Sequence, residues 1–120
     1  MNVLLAHQFS FEAAHRLPLL PAGHKCARLH GHSFGVEIAV QGPVDEQAGW
    51  LVDYDQIAAA WQPLYETLDH RYLNEIEGLE NPTSENLAAW IWRRLKPRLP
   101  CLGRVTVRET CAARCEYEGE

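Results

Sequence analysis

The chain has 120 residues, the size of one domain, with 47% hydrophobic and 22% charged residues and a formal net charge of -5. That acidic balance excludes general nucleic-acid binding, and no apolar run reaches the ~18 residues needed to span a bilayer. Met1 to His7 carries neither a basic region nor a long apolar stretch, so no signal peptide is expected, and Cys26, Cys101, Cys111 and Cys115 sit in a chain that can build a core without disulfides, which fits a reducing cytoplasm.

A first strand is expected within Asn2–His15, where Phe9, Phe11, Ala13 and His15 alternate with Ser10, Glu12 and Ala14. Pro18, Pro21 and Gly23 mark residues 17–29 as a loop, long enough to be a functional one. In the next strand His30, His32, Phe34, Val36, Ile38 and Val40 share one face, and Gly42-Pro43 ends it. A helix follows, capped by Asp53 or Asp55, with Ile57, Ala60, Trp61, Leu64 and Leu68 as its apolar stripe. Pro63 inside that stripe is expected to kink the helix or move a boundary. Residues 73–81 read as a loop. A second helix starts near Pro82-Thr83-Ser84 with Thr83 as its cap and Leu87, Ala88, Ile91 and Leu95 inward. Residues 104–109 alternate again, with Val105, Val107 and Glu109 on one face, and a last short strand is expected over residues 114–118. Strands outside a helical pair, in the order ββααββ, predict an α+β domain with a four-stranded antiparallel sheet.

The chemistry-bearing residues are concentrated. Residues 13–36 contain no Asp or Glu but hold Arg16, Lys25 and Arg28 with His15, His24, His30 and His32, a segment suited to a small anionic ligand. In His30-Gly31-His32 the two imidazoles share a strand face and can reach one ion. His15, ending the first strand in phase with Phe11 and Ala13, is the best third ligand. Three imidazoles and an open fourth position make a catalytic zinc site, in which the metal keeps its full charge as a Lewis acid. Cys26, four residues before His30, reads equally well as a fourth ligand of a closed structural site or as a nearby base. Asp69-His70 ends the first helix, where a carboxylate can orient a ring, although a histidine there also suits the helix dipole. Glu109 falls on an inward strand face, and an inward carboxylate needs a partner, such as the planar edge of a 2-aminopyrimidinone ring. His7 and His24 read as surface or loop residues.

Together these pieces resemble the 6-pyruvoyl-tetrahydropterin synthase superfamily. The resemblance rests on Phe11-Glu12-Ala13-Ala14-His15, Cys26-Ala27-Arg28-Leu29-His30-Gly31-His32, Leu68-Asp69-His70, Asn81-Pro82-Thr83-Ser84-Glu85-Asn86 and Glu109-Thr110, in order over nearly the whole chain. The short gap from Cys26 to His30, Gly49-Trp50 and the run from Gly78 to Thr83 are similar to the bacterial 6-carboxy-tetrahydropterin synthase branch. The resemblance implies a tunnelling fold over residues 1–120 as a single domain, with subunits joining their sheets into oligomeric barrels. It implies a homo-oligomer, a hexamer being favoured, with active sites at subunit interfaces and no nucleic-acid or membrane partner. It also implies one zinc per subunit on His15, His30 and His32, Cys26 as proton acceptor, Asp69 with His70 as a catalytic relay, and Glu109 as pterin anchor grouped with that relay. The implied reaction converts 7,8-dihydroneopterin triphosphate to 6-carboxy-5,6,7,8-tetrahydropterin, acetaldehyde and triphosphate in queuosine biosynthesis. Local charge makes Arg16, Lys25 and Arg28 the candidates for holding the triphosphate. The competing expectations are triphosphate elimination alone, as in 6-pyruvoyl-tetrahydropterin synthase, a metal-free pterin enzyme, and a non-catalytic zinc module closed by Cys26.

Overall fold

Strands β1 (Asn2–His15) and β2 (His30–Pro43) pair antiparallel along their whole length, from Asn2 opposite Pro43 to His15 opposite His30. In the computed structural model, which describes all 120 residues, this hairpin lies along a body 57 Å long and only 25 by 24 Å across. Strand residues of alternating parity face opposite sides, so Phe11, Ala13 and His15 of β1 and Phe34, Val36, Ile38 and Val40 of β2 are buried on one face. Ser10, Glu12, Ser33 and Glu37 occupy the other.

Helix α1 (Tyr54–Leu68) starts at Asp53, whose side chain accepts from the Asp55 N–H, while the Gln56 side chain accepts from the Asp53 N–H. Its buried stripe is Ile57, Ala60, Trp61, Leu64 and Leu68, as the spacing predicts. Helix α1 continues through Pro63, and its boundaries lie elsewhere, at Tyr54 and Leu68. The missing N–H orphans the carbonyl four residues back, at Ala59, and both residues are exposed, so water can satisfy it. Helix α2 (Ser84–Leu95) is capped by Thr83, which accepts from the Asn86 N–H, and buries Leu87, Ala88, Trp90, Ile91 and Leu95.

The sheet has five strands in the order β3-β1-β2-β4-β5, one more than the four expected. Strands β4 (Leu102–Arg108) and β5 (Cys115–Tyr117) extend it antiparallel beyond β2. The extra strand β3 (Arg71–Tyr72) runs parallel to Ala13 and Ala14 of β1. Two residues are too few to show a period of two, so this strand leaves no trace in the pattern. Both helices contact the sheet, α1 against β1 and α2 against β4 and β5, and one apolar core joins them. Each large side chain buried there contributes about 1.5–3 kcal/mol. The outcome is a stiff ladder whose His15–His30 end is held from beneath by packed apolar groups.

Candidate metal centre and active site

Three imidazoles meet at that end of the ladder. His15 lies opposite His30, and His32 lies opposite Ala13, so all three side chains leave the same face. The ring centroids are 4.6 Å apart for His15 and His30, 4.8 Å for His30 and His32, and 5.2 Å for His15 and His32. One ligand nitrogen from each lies within 4.8 Å of the others. Phe34, fully buried, sets its ring edgewise against both His15 and His32.

Backbone carbonyls fix two of these rings. His15 Nδ1 donates to the Pro82 carbonyl at 2.9 Å, and His30 Nδ1 donates to the Arg28 carbonyl at 2.7 Å. Each bond places the proton on Nδ1 and leaves Nε2 with its lone pair. His15 is buried, and its Nε2 has no hydrogen-bond partner. A buried, unpartnered ring nitrogen beside two further imidazoles is the arrangement a bound cation would satisfy. Burial also holds the His15 pKa below its ordinary value, against the opposing pull of the Pro82 carbonyl and Glu109, which favours the neutral, metal-binding form of the ring. The three histidines can hold a metal ion, and an all-imidazole set is compatible with zinc.

Cys26 is not one of the clustered donors. It sits half-buried at the centre of a 3₁₀ turn, Lys25–Ala27. Its carbonyl accepts from the Leu17 N–H at 2.8 Å, and its own N–H donates to His24 Nδ1 at 3.0 Å. Sequence patterning assigns His24 no such contact. It is an exposed loop residue, as expected, but a bonded one.

Glu109 lies one residue beyond β4 and reaches back to the cluster, its Oε2 being 3.9 Å from His32 Nε2. Its other oxygen accepts from the Ser84 hydroxyl at 3.0 Å. Ser84 and Glu109 line a cleft of about 350 Å³ with Thr110 and Arg114.

Asp69 and His70 occupy a different place. Asp69 ends α1 and lashes it to β1: its Oδ1 accepts from the Glu12 N–H at 2.9 Å, and its Oδ2 accepts from His70 Nδ1 at 2.7 Å. Tyr65, one helical turn earlier, also helps to hold the charge on this carboxylate. These bonds, the Glu12 N–H first, hold the Asp69 pKa below the usual carboxylate value. His70 has a φ of 57°, the one positive φ outside glycine, and its N–H donates to the Glu12 carbonyl at 2.6 Å. Such a backbone costs about 1–2 kcal/mol and persists where surrounding bonds over-determine it. The His70 side chain is 79% exposed, and its one hydrogen-bond partner is Asp69. An open cleft of about 620 Å³ is lined by both His70 and His32. Arg16, Lys25 and Arg28 are exposed, and none is ion-paired. Tyr65 and Ser84 escaped the sequence reading. The spacing of Tyr65 and Asp69 by four residues on one helix was the available signal.

Residues 4–120 match the family model described as 6-pyruvoyl tetrahydropterin synthase. The chain is 42% identical to a 6-carboxy-5,6,7,8-tetrahydropterin synthase of Synechocystis, covering 95% of this chain and 92% of that protein. It is 34% identical to a dihydroneopterin monophosphate aldolase of Pyrococcus furiosus, over 83% of this chain and 81% of the relative. Among solved structures, Caenorhabditis elegans 6-pyruvoyl tetrahydropterin synthase superposes with a TM-score of 0.92 at 29% identity, covering 100% of this chain and 97% of that one. With a matching fold, a matching model over nearly every residue and a relative this similar, the chain belongs to the 6-pyruvoyl tetrahydropterin synthase family.

Proposed function

We propose that the protein is a zinc-dependent lyase that converts 7,8-dihydroneopterin triphosphate to 6-carboxy-5,6,7,8-tetrahydropterin, acetaldehyde and triphosphate, serving queuosine biosynthesis in the cytoplasm. The observation that carries this reading is the buried His15 Nε2, unpartnered beside His30 and His32, with the Cys26 thiol held outside the cluster. Zinc bound there supplies a Lewis acid for the hydroxyl oxygens of the substrate side chain.

The chain's own residues divide the remaining work. Cys26 Sγ takes the proton leaving the side-chain carbon next to the ring. His70 donates its Nδ1 proton to Asp69, so Nε2 is the nitrogen left to exchange a proton with a substrate oxygen. Glu109 keeps one oxygen on Ser84 and offers the other to the N–H edge of the pterin. Arg16, Lys25 and Arg28, exposed and unpaired, remain available to the triphosphate.

The placement of His70 supports a homo-oligomer, with a hexamer as the expected size. Its ring is turned to solvent and bonds only Asp69 within its own chain, which suits a site completed between subunits. Strand β1 leaves its outer edge unpaired from Asn2 to Phe11, and β5 forms the far edge, so sheets can join edge to edge.

The test is incubation of zinc-loaded protein with dihydroneopterin triphosphate and identification of every product by mass. Acetaldehyde with the 6-carboxy pterin supports the proposal. A 6-pyruvoyl pterin without acetaldehyde moves the assignment to triphosphate elimination alone, and no turnover sinks it. Dihydroneopterin monophosphate is the necessary parallel substrate, because one relative is named as an aldolase of that ester. Preference for the monophosphate would displace the triphosphate from the reading.

A further inference from the structure

Cys26 sits in a turn too short to hold itself. A 3₁₀ segment of three residues, Lys25–Ala27, has almost no internal bonding, and its first N–H groups need outside acceptors. Ser, Thr, Asp and Asn are the usual side chains for that task. Here the acceptor is an imidazole, His24 Nδ1, at 3.0 Å from the Cys26 nitrogen. His24 is itself tied down, its N–H donating to the Pro21 carbonyl at 2.8 Å and its carbonyl accepting from the Ala27 N–H at 3.0 Å. The same short path continues to the metal cluster. The Cys26 carbonyl receives the Leu17 N–H, just past the end of β1, and the Arg28 carbonyl receives His30 Nδ1. The thiol thus sits at the centre of the turn, the metal-ligand ring hangs from its exit at Arg28, and His24 closes its entrance.

We propose that His24 is a positioning residue for Cys26: by capping the 3₁₀ turn it holds the thiol in the orientation that proton abstraction requires. The role rests on the lyase reading for its effect on turnover, but the positioning itself can be measured without any pterin. A cap of this kind is worth about 1 kcal/mol, which shifts a local equilibrium about fivefold. His24→Ala frees the turn. His24→Asn restores an acceptor at the same position, since an Asn side-chain oxygen also bonds the backbone two residues on.

Three readouts on the zinc-loaded full chain decide the matter: iodoacetamide labelling of Cys26 resolved from Cys101, Cys111 and Cys115 by peptide mass, zinc per chain, and steady-state kinetics. In His24→Ala, Cys26 is expected to be alkylated about fivefold faster and kcat to fall about fivefold, with KM within about twofold and zinc content unchanged. His24→Asn is expected to recover most of both losses. Unchanged labelling in His24→Ala, equal loss in both variants, or a loss that follows zinc release or a lowered Tm overturns the proposal. Should the wild-type protein fail to turn over the triphosphate ester, the lyase reading fails, while the labelling comparison still upholds or overturns the positioning of Cys26.

Discussion

His15 and His30 face each other on the last rung of the β1–β2 ladder, and each gives its Nδ1 proton to a carbonyl of a different loop, Pro82 and Arg28. One rung of sheet therefore ties together the entry to α2 and the exit of the Cys26 turn. The two rings are turned by the backbone rather than by the cation, so the site is pre-organised for binding.

Removing His15 should separate metal binding from folding. His15→Ala deletes one ring nitrogen and leaves the Pro82 carbonyl without its donor. Its zinc affinity is expected to fall by at least about 10–100-fold, the range seen when even a supporting contact is lost. Zinc at a hundredfold excess over its Kd should stabilise the wild-type chain by about 2.7 kcal/mol. The variant should gain almost nothing under the same conditions. Chelator competition and thermal melts with and without zinc measure both.

Changing Cys26 to Ala should leave the metal in place. The thiol lies outside the nitrogen cluster, so Cys26→Ala is expected to keep full zinc content and an unchanged Tm. Its turnover should drop by about 10²–10⁴-fold, the contribution expected of a general base. Loss of zinc in this variant would reassign the thiol as a fourth ligand and favour a closed structural site.

Asp69 should leave a signature in acid. Its pKa is lowered in the folded chain, by the Glu12 N–H first, then by His70, with Tyr65 a lesser contributor. The unfolded chain therefore binds the extra proton as pH falls past the ordinary value of 3.8. This stabilisation is complete above that value and is lost as pH falls through the lower, folded pKa. Asp69→Asn lacks it at every pH. The Tm gap between wild type and variant is expected to narrow below about pH 4. A gap that stays constant under acid would show that these bonds do not discriminate the ionised carboxylate.

Phe34 links the core to the cluster. Its ring stacks on Phe11 and stands edgewise to His15 and His32. Phe34→Leu is expected to cost about 1–2 kcal/mol of stability in urea unfolding of the zinc-free protein. It should also weaken zinc binding several-fold by letting the two rings turn. Lost stability with unchanged zinc affinity would mean that the carbonyl bonds alone hold the rings.

Much of this was legible in residue order because it depends on local rules. A period of two carried His15, His30 and His32 onto one face with Phe11 and Phe34, and His15 is buried there with both phenylalanines. Thr83 announced its helix, and the choice between Asp53 and Asp55 bracketed the start of the other, because a cap acts within three residues of itself. Strand β3 was illegible, since its two residues show no period and pair with the distant Ala13 and Ala14, beside the bond of Asp69 to the Glu12 N–H. The continuation of α1 through Pro63 depended on where water could reach the orphaned carbonyl, which residue order does not state.

The sequence by itself determined which side chains could meet a cation and which face of the sheet would offer them, because alternation along a strand is a property of the backbone. Only the tertiary structure decided how those side chains are held. The Pro82 carbonyl that orients His15 lies 67 positions away, and Asp69 reaches Glu12 across 57. Even the short-range contact of His24 with Cys26 required a particular turn, which forms where Leu17 and Pro21 anchor the loop. Hydrogen bonds of this kind are chosen by distance and angle in the folded chain, and those follow from the packing of the whole core.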